Sequence, residues 1–338
     1  MPLGLAGWIT LHGILAATCT WWVRRYALRR NLLDTPGARR SHKVATPRGG
    51  GLSIVVAVLL ALFWLAFQAS DRLLLLAGAL GLILVAGVGW FDDHRPLPAW
   101  SRLAVHLGAA VVLAFSFWAS GHGPWVAVAA LLAVPVLVNV WNFMDGINGL
   151  AVTQAAIAAC AYALISHDPL VVAVAVSLVA ACMGFLPFNF PRARIFLGDV
   201  GSGALGYVLA FLMVWSGALM QPENGAPAWP VLLLPVSAFL IDASLTLARR
   251  IVRREEWWMP HLQHAFQQQA HRLGAHWPVT LGYAIWSLVG AYILLLMLDQ
   301  TWIIQAVSLF GWLLASSFAW LMMQNTRDTR GWGQGSPE

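Results

Sequence analysis

Four polar clusters interrupt an otherwise oily chain, and each holds residue types suited to phosphate chemistry. Asp92 and Asp93 are adjacent in G-W-F-D-D-H-R, and Asn142, Asp145 and Asn148 fall within N-F-M-D-G-I-N-G-L. Asp199 stands among glycines in F-L-G-D-V-G-S-G, and His261 and His264 frame H-L-Q-H. Acids that hold Mg²⁺, together with cations and N–H groups that hold phosphate, are the parts of phosphoryl transfer. Positioning and charge neutralisation supply most of the rate in that chemistry.

Each cluster has a plainer alternative. Neighbouring carboxylates repel, so the Asp92–Asp93 pair needs a cation or donors close by, with Arg95 and Arg102 as the candidates. An Asp at a helix C-terminus also opposes the macrodipole; the alternative is a solvated acid pair. Asn142, Asp145 and Asn148 fall at i, i+3 and i+6 on one broad helical face, while Gly146 and Gly149 loosen the helix beside them. The expectation is an unwound segment presenting carboxamides and one carboxylate; the alternative is an Asx-rich turn that caps the next helix.

Around Asp199, the glycines Gly198, Gly201 and Gly203 permit a backbone nest for anions, and Ser202 is placed to cap the helix that follows. A lone carboxylate beside phosphate-friendly backbone makes sense if a divalent cation joins them. Two histidines are too few for zinc, and His261 and His264 read instead as hydrogen-bond donors to phosphate. Leu262, Phe266 and Leu273 have the spacing of a short amphipathic helix at the membrane interface. In the basic stretch D-T-P-G-A-R-R-S-H-K-V-A-T-P-R-G-G-G, His42 and the segment from Arg48 to Gly51 stand out; the arginines taken singly suit a loop resting on anionic lipid. Asp242 and His106, inside apolar runs, read as structural ion or hydrogen-bond partners, with a site role as the alternative.

The elements that must position these clusters are membrane helices. With 338 residues, 59% hydrophobic and 10% charged, the chain excludes an ordinary water-soluble globule. Cys19, Cys160 and Cys182 lie in apolar runs without metal-type spacing and read as small buried side chains. The sequence predicts an all-α polytopic membrane protein, a single domain over 1–338 with a polar tail over 324–338. About eleven spans are expected, near 3–23, 51–69, 73–91, 103–119, 125–141, 150–166, 170–187, 204–220, 229–248, 279–298 and 301–323. The basic cluster from Arg24 to Arg30 follows the first apolar run, which argues against a cleaved signal peptide and for an N-terminus outside. In that orientation every Lys and Arg except Arg72 falls inside, along with all four clusters and the C-terminus. A transporter of an anionic metabolite is the rival class, but it requires polar groups near mid-span and on both faces. Another rival is a different Mg²⁺-dependent lipid phosphotransferase. The CDP-alcohol type lacks support because its D-x-x-D-G start has Asn142 in place of the first acid. The membrane setting and the four clusters together suggest a transferase joining a lipid phosphate to a soluble phosphorylated donor.

The motif set resembles one family. D-x-P-x-x-R-x-x-H with P-R-G-G over Asp34 to Gly50, the Asp92–Asp93 pair, N-F-M-D-G-I-N-G-L, F-L-G-D-V-G-S and H-L-Q-H are similar, in order and placement, to the polyprenyl-phosphate N-acetylhexosamine-1-phosphate transferases, the MraY/WecA family. The resemblance implies transfer of a sugar 1-phosphate from a UDP-N-acetylhexosamine to undecaprenyl phosphate at the cytoplasmic face of a bacterial inner membrane, with release of UMP. It implies Mg²⁺, with Mn²⁺ as a substitute, and the lipid bilayer as a partner; nucleic acid is not among the partners, and a homodimer is compatible with it. Carried over by motif, Asp92 and Asp93 are the acids near the attacking lipid phosphate, Asp199 the Mg²⁺ ligand, and Arg102 the lipid-phosphate cation where relatives often have lysine. Asn142, Asp145 and Asn148 join His261 and His264 at the nucleotide-sugar site. Asn148 replaces an acid found in several relatives, and H-L-Q-H resembles the branch that starts lipopolysaccharide O-chains. Direct attack by the lipid phosphate is the expected mechanism, since a phosphate monoester with a second pKa of about 6 is largely dianionic at neutral pH. A covalent aspartyl-phosphate route is the alternative.

Overall fold

The computed structural model describes residues 4–35, 44–70, 72–220, 229–256 and 261–325. His42, the outer connection over 221–228 and the tail beyond 325 lie outside the described residues. The helices are α1 (Gly4–Arg29), α2 (Leu52–Gln68), α3 (Leu73–His94), α4 (Ala99–Ala119), α5 (Pro124–Met144), α6 (Leu150–Ile165), α7 (Pro169–Asn189), α8 (Asp199–Leu219), α9 (Ser237–Val252), α10 (Ala265–Leu273), α11 (Trp277–Met297) and α12 (Trp302–Asn325). A 3-10 segment, Trp229–Val236, leads into α9.

Each of the eleven apolar runs falls on helix, and α10 is the additional short one. Eight segments among the described residues are long and apolar enough to cross a membrane: α3, α4, α5, α7, α8, the 3-10 segment with α9, α11 and α12. The apolar helices α2 and α6 are shorter, at 17 and 16 residues. The protein is therefore a helical, polytopic membrane protein. One departure from all-α is an antiparallel clip of two residues per strand, β1 (Leu33–Asp34) with β2 (Thr46–Pro47), in the connection between α1 and α2.

The bundle is organised around α8, in which every residue from Val200 to Gly217 is buried. It packs against α3 and α5 most extensively and also meets α2, α6 and α7. Between helices in lipid, close van der Waals packing does what water exclusion does in soluble cores, and small residues let backbones approach. At Gly206 any Cβ would collide with the Leu137 carbonyl of α5, so a side chain there would push the two helices apart. By contrast α12 fully buries only Ser316 and Trp320; Leu309 and Trp312 pack partly against the core, and most of its other apolar side chains are exposed.

Candidate functional site

The site is built where the α1–α2 connection lies along the segment that precedes α8. The amides of Gly50 and Gly51 donate to the carbonyls of Phe196 and Leu197 at 2.9 and 2.8 Å, and Phe196 donates back to the Pro47 carbonyl at 2.8 Å. Gly198 has φ 76°, a left-handed conformation that a side chain would strain, and a Cβ there would come within 2.5 Å of Asp93 Oδ2. Asp93 Oδ1 accepts the Asp199 amide at 3.1 Å and Oδ2 the Val200 amide at 3.2 Å, which satisfies two free N–H groups of the first turn. Helix α8 therefore starts at Asp199 rather than near residue 204. Ser202, expected to cap it, lies inside α8 and accepts a hydrogen bond from Asn142 Nδ2 at 3.1 Å.

Around that helix start the structure gathers oxygen donors from distant parts of the chain. One guanidinium nitrogen of Arg102, in the first turn of α4, lies 2.9 Å from Asp92 Oδ2 and 2.9 Å from Asp199 Oδ2. Asn142, in the last turn of α5, donates to Asp199 Oδ1 at 3.1 Å. Asp92 also accepts the Leu97 amide at 2.5 Å. Arg48 donates to the Asp93 carbonyl, and its Nε is 3.9 Å from Asp93 Oδ1. Arg95, the other cation considered for the acid pair, is in no ion pair among the described residues. Side-chain exposure separates the acids: Asp93 is at 4% and enclosed by its partners, whereas Asp199 at 33% and Arg102 at 29% are within reach of a ligand.

Helix α5 stops at Met144, so Asn142, Asp145 and Asn148 do not share the helical face that their spacing suggested. Asn142 turns to α8. Asn148 donates from its amide side chain to the Pro191 carbonyl at 3.0 Å, while its backbone binds His276 Nδ1 at 3.3 Å and the Thr280 hydroxyl at 2.8 Å. It ties the turn to the α7–α8 connection and to α11. Helix α6 begins after Gly149, in the left-handed conformation and without a side-chain cap, so the Asx-cap alternative does not describe this turn. Asp145, part-buried, makes no hydrogen bond or ion pair with a described residue. Desolvation, with the negative charge of Asp93 adding to it, pushes its carboxyl up to about 7.

The histidine block reaches the same region through α10. His261 Nδ1 accepts the Gln263 amide at 3.3 Å. Burial, assisted by the nearby His264 and Arg250 charges, pushes His261 down to about 4, so at neutral pH it is an uncharged ring with its proton on Nε2. The buried His264 ring lies 4.8 Å from it, centroid to centroid, and stacks on Phe266. Phe266 in turn covers the turn after α5, where a Cβ on Gly146 would sit 2.9 Å from its ring. The buried face of α10 is Ala265, Phe266 and Ala270; Leu273, expected on that face, is exposed because the helix ends there at Gly274.

Among the described residues no group of three or more His, Cys, Asp or Glu converges as a metal cage. Two carboxylates meeting one cationic atom at 2.9 Å each nevertheless form an oxygen donor set that suits Mg²⁺, which takes one or two protein carboxylates and completes its shell with water and phosphate. Sequence reasoning did not assign site roles to Arg48 or Asn189. Asn189 accepts the Gly149 amide at 2.7 Å and donates to the Ile195 carbonyl at 3.0 Å, joining the two polar turns. The available signals were an arginine flanked by Pro47 and Gly49 and an asparagine in F-N-F-P. His106 is buried on α4, and its Nδ1 has no hydrogen-bond partner among the described residues.

The model of glycosyl transferase family 4 matches residues 75–217, which include Asp92, Arg102, Asn142 and Asp199. The chain is 32% identical to a decaprenyl-phosphate N-acetylglucosaminephosphotransferase of Mycobacterium leprae over 331 residues, covering 84% of this chain and 82% of that protein. It is 31% identical to a phospho-N-acetylmuramoyl-pentapeptide-transferase of a Synechococcus strain, covering 86% and 93%. A probable undecaprenyl-phosphate N-acetylglucosaminyl 1-phosphate transferase of Bacillus subtilis is 27% identical, covering 75% and 72%.

Proposed function

The chain belongs to glycosyl transferase family 4, the polyprenyl-phosphate N-acetylhexosamine-1-phosphate transferases, and from that premise we propose a specific reaction. An N-acetylhexosamine 1-phosphate passes from a UDP-sugar to undecaprenyl phosphate on the cytoplasmic side of a bacterial inner membrane. UMP leaves, and the lipid-linked product starts an O-antigen or another envelope polysaccharide. The observation that carries this reading is the Arg102 guanidinium held between Asp92 and Asp199, at one end of the bundle beside the turn that carries Asp145. The charge distribution supports the orientation, since every Lys and Arg except Arg72 then faces the cytoplasm.

In this reaction an oxygen of the lipid phosphate attacks the β-phosphorus of the donor, a new P–O bond forms, and the bond from the β-phosphorus to the bridging oxygen breaks as UMP departs. The attacking group is dianionic at neutral pH and needs no proton removed. Arg102 holds the lipid phosphate, and Asp92 orients the arginine. Asp93 holds the start of α8, so that Asp199 and Asn142 face the donor. Asp199, with Asp92 beside it, would hold Mg²⁺, and the bound ion supplies neutralisation of the diphosphate charge. His261 donates from Nε2 to the donor phosphates, beside His264. Asn148 shapes the turn next to the sugar, and Asp145 is the ionisable group on the nucleotide side.

The test is purified protein with undecaprenyl phosphate, Mg²⁺ and a panel of UDP-sugars, scored for UMP. Release of UMP with at least one UDP-N-acetylhexosamine is expected. Its absence with all of them overturns the reading.

A further inference from the structure

Asp242 is a carboxylate with no exposed surface, on α9, and among the described residues no lysine or arginine pairs with it. Arg250 pairs instead with Glu255 at 3.0 Å, and Arg249 donates to Gln324 at 2.6 Å. Such an acid is costly within an apolar bundle unless both oxygens are satisfied, and here they are. Oδ1 accepts the Ala265 amide at 2.9 Å, Trp320 Nε1 at 3.1 Å and the Thr246 hydroxyl at 3.1 Å. Oδ2 accepts the Phe266 amide at 3.1 Å and the Tyr283 hydroxyl at 2.7 Å. His264 Nδ1 stands 3.6 Å from Oδ1. The donors come from α9, α10, α11 and α12, and two of them are the first free amides of α10.

We propose that Asp242 is a positioning residue for the nucleotide-sugar site, fixing the first turn of α10 so that His264 and the Phe266-covered turn at Asp145 keep one relative placement. The contacts run in series. Asp242 holds the Ala265 and Phe266 amides and lies behind the His264 ring. Phe266 rests on Gly146, next to Asp145. With His264 Nδ1 beyond hydrogen-bond reach at 3.6 Å, Asp242 acts on His264 through the amides of the two residues that follow it, and removing a support of this kind changes binding at the group it positions, by about 10- to 100-fold where the effect has been measured at metal-ligating histidines. This role rests on the transferase reading, because it assigns His264 and Asp145 to the donor.

The experiment compares Asp242→Asn, His264→Ala and the double variant with the wild type, in the full chain, with UMP release titrated separately in UDP-sugar and undecaprenyl phosphate. Asp242→Asn is expected to raise KM for the UDP-sugar by about tenfold, leaving KM for the lipid within about twofold. The double variant should lose no more than the worse single variant, since both changes break one linkage. Equal loss toward both substrates, or fully additive losses, assigns Asp242 a general packing role and overturns the proposal. If Asp242→Asn does not fold, Tyr283→Phe and Trp320→Phe each remove one donor and keep the carboxylate. They should raise the UDP-sugar KM selectively and speed amide exchange over residues 265–273; no change in either measurement overturns the proposal. A wild-type protein that releases no UMP from any UDP-sugar overturns the transferase reading and this role with it. An active wild type with an unselective Asp242→Asn overturns this role alone.

Discussion

Asp93 reaches the helix that begins at Asp199 with both carboxylate oxygens, at 3.1 Å to the Asp199 amide and 3.2 Å to the Val200 amide. The two neighbouring acids of α3 therefore face different tasks. Asp92 meets Arg102 at the accessible cluster, and Asp93 supports the backbone on which Asp199 is carried.

Asp93→Asn replaces one charged acceptor with an N–H group that faces a helix amide. It should lower stability by about 1 to 3 kcal/mol and also reduce turnover. Asp92→Asn should lower turnover without a comparable loss of stability. Thermal unfolding in detergent, run beside UMP release, separates the two. Intact single-turnover transfer at pH 8 in either variant would end that residue's part in the reaction.

Asp145, pushed up to about 7, is mostly protonated at pH 5 and mostly charged at pH 8. If its charged form serves the donor, turnover rises through pH 7 and levels off above it, and Asp145→Asn flattens that limb. The raised pKa has the opposite sign for stability. The folded state holds this proton more tightly than the unfolded chain, so the contribution is full below about 4, declines as pH rises toward 7, and is gone above it. Asp145→Asn should accordingly raise the melting temperature at pH 8 relative to wild type, more than at pH 5.

His261, pushed down to about 4, stays neutral across the working range. His261→Ala should raise KM for the UDP-sugar while leaving the shape of the pH profile between 6 and 8 unchanged. A new or missing limb there would show that the ring works in its charged form.

Chelation by EDTA should stop UMP release, and Mg²⁺ should restore it, with Mn²⁺ as a substitute. Asp199→Asn should fold and stay inactive at every Mg²⁺ concentration. Full activity in that variant would remove Asp199 from the metal.

A Cβ on Gly201 would lie 2.6 Å from Gly51 Cα, whereas one on Gly87 meets nothing within 4 Å among the described residues. Gly201→Ala should cost about 1 to 3 kcal/mol through overpacking and displace the start of α8, while Gly87→Ala should be nearly silent. Melting temperature and UMP release measured on both variants check this.

The helices were legible because a bilayer demands long apolar runs, and each run in the sequence falls on one. The start of α8 was not legible, since the carboxylate that caps it belongs to α3, 106 residues earlier in the chain. Spacing also misplaced Asn148, because a 3.6-residue periodicity means nothing once α5 ends at Met144. The same limit applies to Leu273, the last residue of α10. Asp242 was readable as a buried polar group, but its partners come from α10, α11 and α12, and no local pattern announces such a convergence.

Helix α8 is sheathed by protein along nearly its whole length, while α12 lies largely bare. The depth at which Asp199 sits is therefore gauged against neighbouring helices and not against acyl chains. A thicker or thinner bilayer would be absorbed by tilting at the periphery. The acid cluster then keeps a constant height within the bundle, and it is the isoprenoid that must bring its phosphate to that level.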